Sequence, residues 1–207
     1  LHGLFQQWDN RSVATEGLVL NLPAGRPMPR ETPMPKLPEF HQRDPRAPDH
    51  RGKDLRAGFS LDVWLKLDTL DAGQEILDSR DAAGKGLLLA TSAAGTLEIT
   101  LDDGRSRSSW DCDRGAVQAG KAHHVVVIVD GGPKIITFVV DGVLCDGGDR
   151  RQFGWGRFSP NLRAPNPDAK LPALRIAPKT SGCVQSLRLY NRALRTSEAV
   201  GNWRAGR

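Results

Sequence analysis

The segment from His123 to Gly148 limits the possible folds of this chain more than any other. Two runs rich in β-branched residues, 123–129 and 135–140, flank the turn-forming stretch Asp130-Gly131-Gly132-Pro133-Lys134. This pattern predicts a β-hairpin. The Asp-Gly pair at 141–142 predicts a second tight turn directly after it. The chain therefore turns back twice within a short distance, which indicates short antiparallel strands joined by turns.

Further segments with strand patterns lie on both sides of this hairpin. In residues 59–67 the apolar side chains occupy alternate positions, so one face of that strand is expected in a core. The other predicted strands are equally short: 17–22, 75–80, 86–89, 97–101, 174–176 and a run within 183–194. Residues 196–203 predict a short helix, with Thr196 or Ser197 accepting a backbone N–H at its start.

The stretches HHVVVIVDG, ITFVVDGVL and VQSLRLYNRALRTSEA, in this order and spacing, resemble the laminin-G-like, concanavalin A-type jelly rolls. The similarity is good from Phe59 to Trp203 and poor before residue 59. It implies an all-β fold, a two-sheet antiparallel jelly-roll sandwich with one short C-terminal helix. We expect residues 1–207 to form a single domain with a proline-rich irregular segment at about 23–58. Lectins, adhesion modules and glycanases share this fold, so the fold does not determine the function.

The proline-rich segment has two interpretations. Proline cannot supply regular ladder hydrogen bonds, so the segment is expected to be an extended loop or an edge strand over the sandwich. Its end contains His41, His50 and Arg51, which could contact a ligand. The alternative is a solvated polar connector.

Membrane insertion is not expected, because no apolar run approaches the length of a membrane-spanning helix. The first residues show no secretory signal pattern, so the chain is either processed or part of a larger protein. We expect a secreted, periplasmic or cell-surface location. The three cysteines, Cys112, Cys145 and Cys183, are too widely spaced for a metal cluster. They form either one disulfide with one free thiol or three buried thiols.

The net charge of +5 is unevenly distributed. Residues 1–149 contain 17 Lys and Arg against 22 Asp and Glu, a net charge of −5, whereas residues 150–207 contain 12 against 2, a net charge of +10. Such a basic segment attracts polyanions, or its arginines pair with acidic residues of neighbouring strands. Nucleic acid is not an expected partner, because no nucleic-acid-binding motif accompanies the basic residues.

Aromatic and arginine residues cluster in the segment RRQFGWGRFSP, residues 150–160. Trp155 lies between two glycines, which leave its ring poorly shielded. Aromatic rings stack on the C–H faces of sugars, and arginine binds carboxylates or sulfates with two parallel hydrogen bonds. The segment therefore predicts contact with an acidic glycan. Alternatively, its aromatic residues form a small satellite core. Trp110 could likewise face outward or inward, since its orientation depends on the strand register. Trp64 either stacks on a sugar or packs under the proline-rich segment.

A glycanase needs two carboxyl groups flanking the scissile bond. Glycanases that resemble this architecture carry them on one strand with Glu-x-Asp-x-x-Glu spacing, and this chain has no such run. The nearest pair, Glu75 and Asp78, is expected on opposite faces of a strand because the offset is three. A pair from distant strands, or a lyase base among His50, His123 and His124, stays open.

Calcium is the metal that the resemblance implies, bound by oxygen atoms at the rim of the sandwich. Aspartates occur at predicted turns, namely Asp102, Asp103, Asp111, Asp113, Asp146 and Asp149. Turns also favour aspartate for hydrogen bonds of their own, and the ligands of the family cannot be mapped onto this chain residue by residue. A structural calcium ion is thus the one cofactor to consider.

These observations favour a lectin-like carbohydrate-recognition module for an acidic glycan or polysaccharide, joined to or associated with a larger extracellular glycan-active protein. The predicted ligand-binding residues are Trp155, Arg157, Phe158, Trp110, His41, His50 and Arg51. Two alternatives stay open: a glycoside hydrolase or polysaccharide lyase acting on an acidic polysaccharide, and a structural or adhesion domain. Paired carboxylates in a groove would indicate an enzyme, and a rim of aromatic and arginine side chains a lectin.

Overall fold

The computed structural model describes residues 11–40, 57–163, 173–180 and 182–206. The strands in chain order are β1 (Leu18–Leu22), β2 (Glu31–Pro33), β3 (Gly58–Lys66), β4 (Glu75–Asp78), β5 (Gly86–Thr91), β6 (Leu97–Asp102), β7 (Arg107–Asp111), β8 (Ala122–Asp130), β9 (Ile135–Val140), β10 (Val143–Leu144), β11 (Trp155–Arg157), β12 (Ala173–Ile176) and β13 (Val184–Tyr190). One α-helix, α1 (Thr196–Ala205), follows them. Within the described ranges, no helix has the length and apolar character needed to cross a bilayer.

These strands form two antiparallel sheets that pack face to face, which confirms the predicted jelly-roll sandwich. The seven-stranded sheet has the order β1-β13-β3-β8-β9-β10, and β11 also pairs with β9. The six-stranded sheet has the order β2-β12-β4-β5-β6-β7. Neighbours in each sheet are often distant in sequence, so loops from different parts of the chain meet at the rim.

Alternation along β3 determines which face lies in the core. Phe59, Leu61, Val63 and Leu65 are fully buried in the main apolar cluster between the sheets, as the spacing predicts. The strand pairs with β8 along its whole length and with β13 on its other side. The central part of the seven-stranded sheet therefore provides a rigid support for the edge strands.

The predicted hairpin is formed by β8 and β9, and it positions the edge of the seven-stranded sheet. The turn between β9 and β10 has positive φ angles at both Asp141 and Gly142, 49° and 75°. Two consecutive positive φ angles characterise the tight hairpin turn that favours an Asp-Gly pair. The second turn was therefore predicted correctly from these two residues.

Helix α1 packs on the outer face of the seven-stranded sheet, where Ala199 joins an apolar cluster with Val126 and Val139. Its first turn is stabilised by Glu198, whose Oε2 accepts a hydrogen bond of 2.8 Å from the Arg195 N–H. The sequence had indicated Thr196 or Ser197 as the cap. That prediction was wrong, because the helix already begins at Thr196 and Arg195 precedes it.

The described part of the proline-rich segment belongs to the sandwich. It contains β2, which pairs with β12 at the edge of the six-stranded sheet. After β2, the side chains of Met34, Leu37 and Phe40 are buried in the main core. Up to Phe40, the segment therefore consists of an edge strand followed by residues that pack in the core. This confirms the first interpretation for these residues, and the interpretation as a solvated connector is wrong for them.

Candidate functional site

Strand β11 extends the edge that β10 begins, because both strands pair with β9. Gly156 of β11 lies opposite the inward-facing Ile136, so Gly156 also faces the other sheet. A Cβ atom at Gly156 would overlap the Trp110 ring, which explains why this position carries glycine. The neighbouring Trp155 and Arg157 consequently project from the outer face of the seven-stranded sheet.

The outer face of β11 carries two stacked aromatic rings. The centroids of Phe153 and Trp155 are 4.9 Å apart, with 27° between the ring planes. Phe153 is 48% exposed, and Trp155 is half-buried. The Cζ atom of the exposed Arg157 lies 5.8 Å from the Trp155 centroid. We call Phe153, Trp155 and Arg157 the aromatic platform. It offers an accessible apolar surface beside a guanidinium group.

Trp110 lies on the other side of the same loop, between the sheets. Its Nε1 donates a hydrogen bond of 3.4 Å to the Gly154 carbonyl oxygen, and its ring contacts Gly156. The Arg151 guanidinium covers the ring, with Cζ 4.4 Å from the centroid. These contacts give Trp110 a role in supporting the loop between β10 and β11, and leave the outward stacking surface to Trp155.

Arg151 connects this loop to the end of β7. Its guanidinium donates hydrogen bonds to Asp111 Oδ1 at 2.9 Å, to the carbonyl oxygens of Asp111 and Cys112 at 3.1 and 3.2 Å, and to Asp113 Oδ1 at 3.2 Å. The other carboxylate oxygen of Asp113, Oδ2, accepts hydrogen bonds from the N–H groups of Asp146 and Gly147, at 2.9 and 3.0 Å. These hydrogen bonds fix the β10–β11 loop against the end of β7.

A pocket of about 430 Å³, with several charged lining residues, opens between this loop and the end of β7. We call it the rim pocket. Its charged lining residues are Asp111, Asp113, Arg114, Asp149, Arg150 and Arg151. Arg114 and Arg151 were not predicted as site residues from the sequence. Arg151 lies in the aromatic and arginine cluster 150–160 and Arg114 follows two aspartates, but neither pattern identifies partners 40 residues away.

The other predicted site residues lie elsewhere. Phe158 is 3% exposed and belongs to the main core, where its ring centroid is 4.9 Å from that of Phe40. It is therefore positioned as a core residue and not as a contact for a ligand. His41, His50 and Arg51 lie outside the described residues. Trp64 is half-buried, and its ring centroid is 5.0 Å from that of His124.

Glu75 and Asp78 are not on opposite faces, and that prediction was wrong. The register of β4 against β5 shifts between Glu75 and Leu77, which changes the alternation. Arg80 Nη2 donates to both carboxylates, at 3.0 Å each. Because one guanidinium neutralises both groups, they do not provide the protonated and ionised carboxyl groups that glycoside hydrolysis requires.

A second carboxylate pair, Glu98 and Asp111, lies opposite each other on β6 and β7. Burial, together with the negative charge of Asp111, raises the pKa of Glu98. Asp111 is already bound through both oxygens, because Arg151 contacts Oδ1 at 2.9 Å and the Thr96 hydroxyl donates to Oδ2 at 2.6 Å. Glu98 does not line the rim pocket. The pair therefore does not form an acid–base site facing that pocket.

The adjacent histidines are structural. His123 Nδ1 lies 2.6 Å from Asp141 Oδ2, and its Nε2 accepts the Gln118 N–H at 3.0 Å. His124 Nε2 lies 3.0 Å from Asp62 Oδ1. Both rings are buried. A substrate cannot reach either imidazole without rearrangement of the sandwich, so neither is positioned as a lyase base.

Several aspartates at the turns serve as hydrogen-bond acceptors within their own loops. The Gly104 N–H donates to Asp102 at 2.7 Å, and the Ser106 N–H donates to Asp103 at 2.7 Å. In the part of the chain that the structure describes, no three Asp, Glu, His or Cys side chains converge as metal ligands. We therefore derive no chemistry from calcium.

A family model described as the concanavalin A-like lectin/glucanases superfamily, Laminin_G_3, matches residues 46–199. A search of curated protein sequences found no significant match. Among solved structures, the CBM40 of the Ruminococcus gnavus IT-sialidase bound to α2,3-sialyllactose has a TM-score of 0.56 and 15% identity, and the alignment covers 89% of this chain and 97% of that chain.

Two further solved structures share the fold. The leech intramolecular trans-sialidase complexed with 2,7-anhydro-Neu5Ac has a TM-score of 0.56 and 13% identity, with 90% of this chain and 28% of that chain covered. The ligand binding domain of botulinum neurotoxin serotype D, in complex with N-acetylneuraminic acid, has a TM-score of 0.52 and 11% identity, with 72% and 36% covered. At these identities the similarity shows a common fold.

Proposed function

We propose that this chain, which belongs to the concanavalin A-like lectin/glucanases superfamily, is a carbohydrate-binding module whose ligand contacts the aromatic platform. The observation that carries this proposal is the stacked and accessible Phe153–Trp155 pair beside Arg157. An exposed aromatic pair costs solvation free energy unless a partner covers it. A sugar ring is suited to cover it, because its C–H face is apolar and its hydroxyl groups can stay in water.

The proposed ligand is an acidic glycan. The Arg157 side chain has no ion pair or hydrogen bond with another described residue, so its guanidinium is available to bind a carboxylate or sulfate with two parallel hydrogen bonds. Much of the positive charge of residues 150–207 is paired with acidic residues of neighbouring strands, as in Arg151 with Asp111 and Arg175 with Asp78, so the alternative interpretation of the basic segment holds for these residues. The Arg157 guanidinium lies outside these pairs. In agreement, the three structural neighbours were solved with sialic acid or a sialic acid derivative.

The module is proposed to act outside the cytoplasm as part of a larger protein, in a secreted, periplasmic or cell-surface location. Extracellular glycans are accessible in these places. The chain spans 28% of the length of the leech enzyme.

Titration calorimetry with α2,3-sialyllactose and with lactose tests this function. We expect Trp155→Ala to weaken binding of sialyllactose by about 1–3 kcal/mol, because the variant removes the apolar surface that the sugar covers. Arg157→Lys should also weaken it, since an ammonium group cannot form the two parallel hydrogen bonds. Lactose, which lacks the carboxylate, should bind more weakly than sialyllactose.

Trp203→Ala is the matched control, because Trp203 is 37% exposed but belongs to α1, outside the platform. The affinity of Trp203→Ala for sialyllactose should equal that of the wild type. The melting temperature of Trp155→Ala should differ from that of the wild type by only a few degrees. A large loss of thermal stability in Trp155→Ala with unchanged affinity would instead assign Trp155 to the structural core. Absence of binding to any acidic glycan on an array would refute the proposed function.

A further inference from the structure

The rim pocket has the properties of a second contact for the same ligand. Its volume of about 430 Å³ lies in the lower part of the range of ligand pockets and suits one sugar residue. Its lining residues 147–151 belong to the β10–β11 loop, which also carries Phe153 of the aromatic platform. From the proposed function and this geometry, we propose that the rim pocket binds a carboxylate- or sulfate-bearing sugar residue through Arg114 and Arg150.

The acidic groups at the base of the pocket do not oppose this assignment. Both oxygens of Asp111 are hydrogen-bonded, to Arg151 and Thr96. Both oxygens of Asp113 are also hydrogen-bonded, to Arg151 and to two backbone N–H groups. Arg151 therefore offsets part of the negative charge of the two carboxylates, and their other oxygens are bound by neutral donors.

Arg114 and Arg150 provide the available donors. Arg114 follows β7 and Arg150 belongs to the β10–β11 loop, so the two reach the pocket from different walls. Both are exposed, and neither has an ion pair or hydrogen bond within the described ranges. Both residues line the same cavity, and a guanidinium group suits a planar carboxylate or a sulfate. Asp149 also lines the pocket, and its negative charge opposes an anion there.

The pocket is formed before a ligand arrives. Asp113 fixes the N–H groups of Asp146 and Gly147, and Asp146 Oδ1 accepts the Gly148 N–H at 2.9 Å. Gly147 and Gly148 have φ angles of 99° and 53°, which glycine adopts without steric cost. A loop fixed in this way loses little conformational entropy when it binds, which favours affinity.

Calorimetry with α2,3-sialyllactose and lactose at two salt concentrations tests the pocket. Arg114→Gln and Arg150→Gln should each weaken sialyllactose binding by about tenfold and leave lactose binding unchanged. Their affinity should also depend less on salt than that of the wild type. Asp149→Asn should strengthen sialyllactose binding, because it removes a like charge. Arg105→Gln is the control, since Arg105 is an exposed arginine on the β6–β7 turn outside the pocket.

The outcomes separate the two proposals. If Trp155→Ala weakens binding but both glutamine variants bind as the wild type does, the pocket assignment is wrong and the proposed function stands. If the wild type binds neither sugar nor any acidic glycan on an array, the proposed function fails, and the pocket is tested alone with free N-acetylneuraminic acid. Chemical-shift changes at the Gly147 and Gly148 amides that Arg150→Gln abolishes would support the pocket. No shift at these amides would overturn it.

Discussion

At the scale of single residues, Asp78 shows how a buried carboxylate is kept ionised. Its side chain is 5% exposed, and it accepts hydrogen bonds from Arg80 Nε at 2.9 Å and Arg175 Nη2 at 2.8 Å. Burial by itself would raise the pKa of Asp78. The hydrogen bonds and charge of Arg80, with the charge of Arg175, outweigh burial and hold this pKa below 3.8.

We expect Asp78→Asn to lower the free energy of unfolding by about 1.5–3 kcal/mol near neutral pH, because it removes the charged acceptor of two arginines. Since the pKa of Asp78 is lower in the folded state, its contribution is present above the unfolded pKa and is lost as the pH falls through the folded pKa. Urea unfolding at pH 7 and pH 3 should therefore show a smaller difference between variant and wild type at pH 3. Asp68→Asn, which changes an exposed carboxylate, serves as the control. An equal difference at both pH values would contradict the ionic explanation.

At the scale of secondary structure elements, α1 is attached to the seven-stranded sheet by a buried polar network. Asp62, which is fully buried, accepts hydrogen bonds from Asn202 Nδ2 at 2.6 Å and Arg188 Nη1 at 3.4 Å, and contacts His124 Nε2 at 3.0 Å. Asn202 Oδ1 accepts the Ala14 N–H at 2.7 Å. One helix residue thus connects the helix to the centre of the sheet and to the N-terminal segment.

Asn202→Ala should therefore destabilise the domain by about 2–4 kcal/mol, because it leaves a buried charge and a buried N–H short of a partner. The effect should be largest near α1. Limited trypsin digestion should cut after Arg192 or Arg195 sooner in the variant than in the wild type. Ser197→Ala, at an exposed position of the same helix, should behave as the wild type. Unchanged cleavage and stability in Asn202→Ala would refute the role of the network.

At the scale of the whole molecule, the two sheets bury all three cysteines as free thiols. Of the two alternatives that the sequence left open, the structure has the three-thiol form. Burial raises the pKa of Cys112 to about 12 and that of Cys145 to about 11, so the reactive thiolate is scarce at neutral pH. We expect the native protein to react slowly with a thiol reagent such as dithionitrobenzoate. The chain unfolded in guanidinium without a reductant should show three reactive thiols, and a count of one would indicate a disulfide.

Sequence patterns predicted the longer strands and their antiparallel arrangement, but not the three-residue strands β2 and β11. Alternation in 59–67 identified the core face of β3, and the Asp-Gly pair at 141–142 identified the turn before β10. The resemblance then supplied the arrangement of the strands in two sheets. These features were predictable because they depend on residues that are close in sequence, where side-chain direction and turn geometry follow local rules.

Only the tertiary structure decided which residues form the site. It placed Trp155 on the outer face, Trp110 beneath the loop and Phe158 in the core, although Trp155 and Phe158 belong to the same segment. It also brought Arg151 to Asp111, 40 residues away. Such contacts depend on strand register and on the packing of the two sheets, and a shift of one residue reverses the face of every side chain in a strand. No pattern within one segment records that choice.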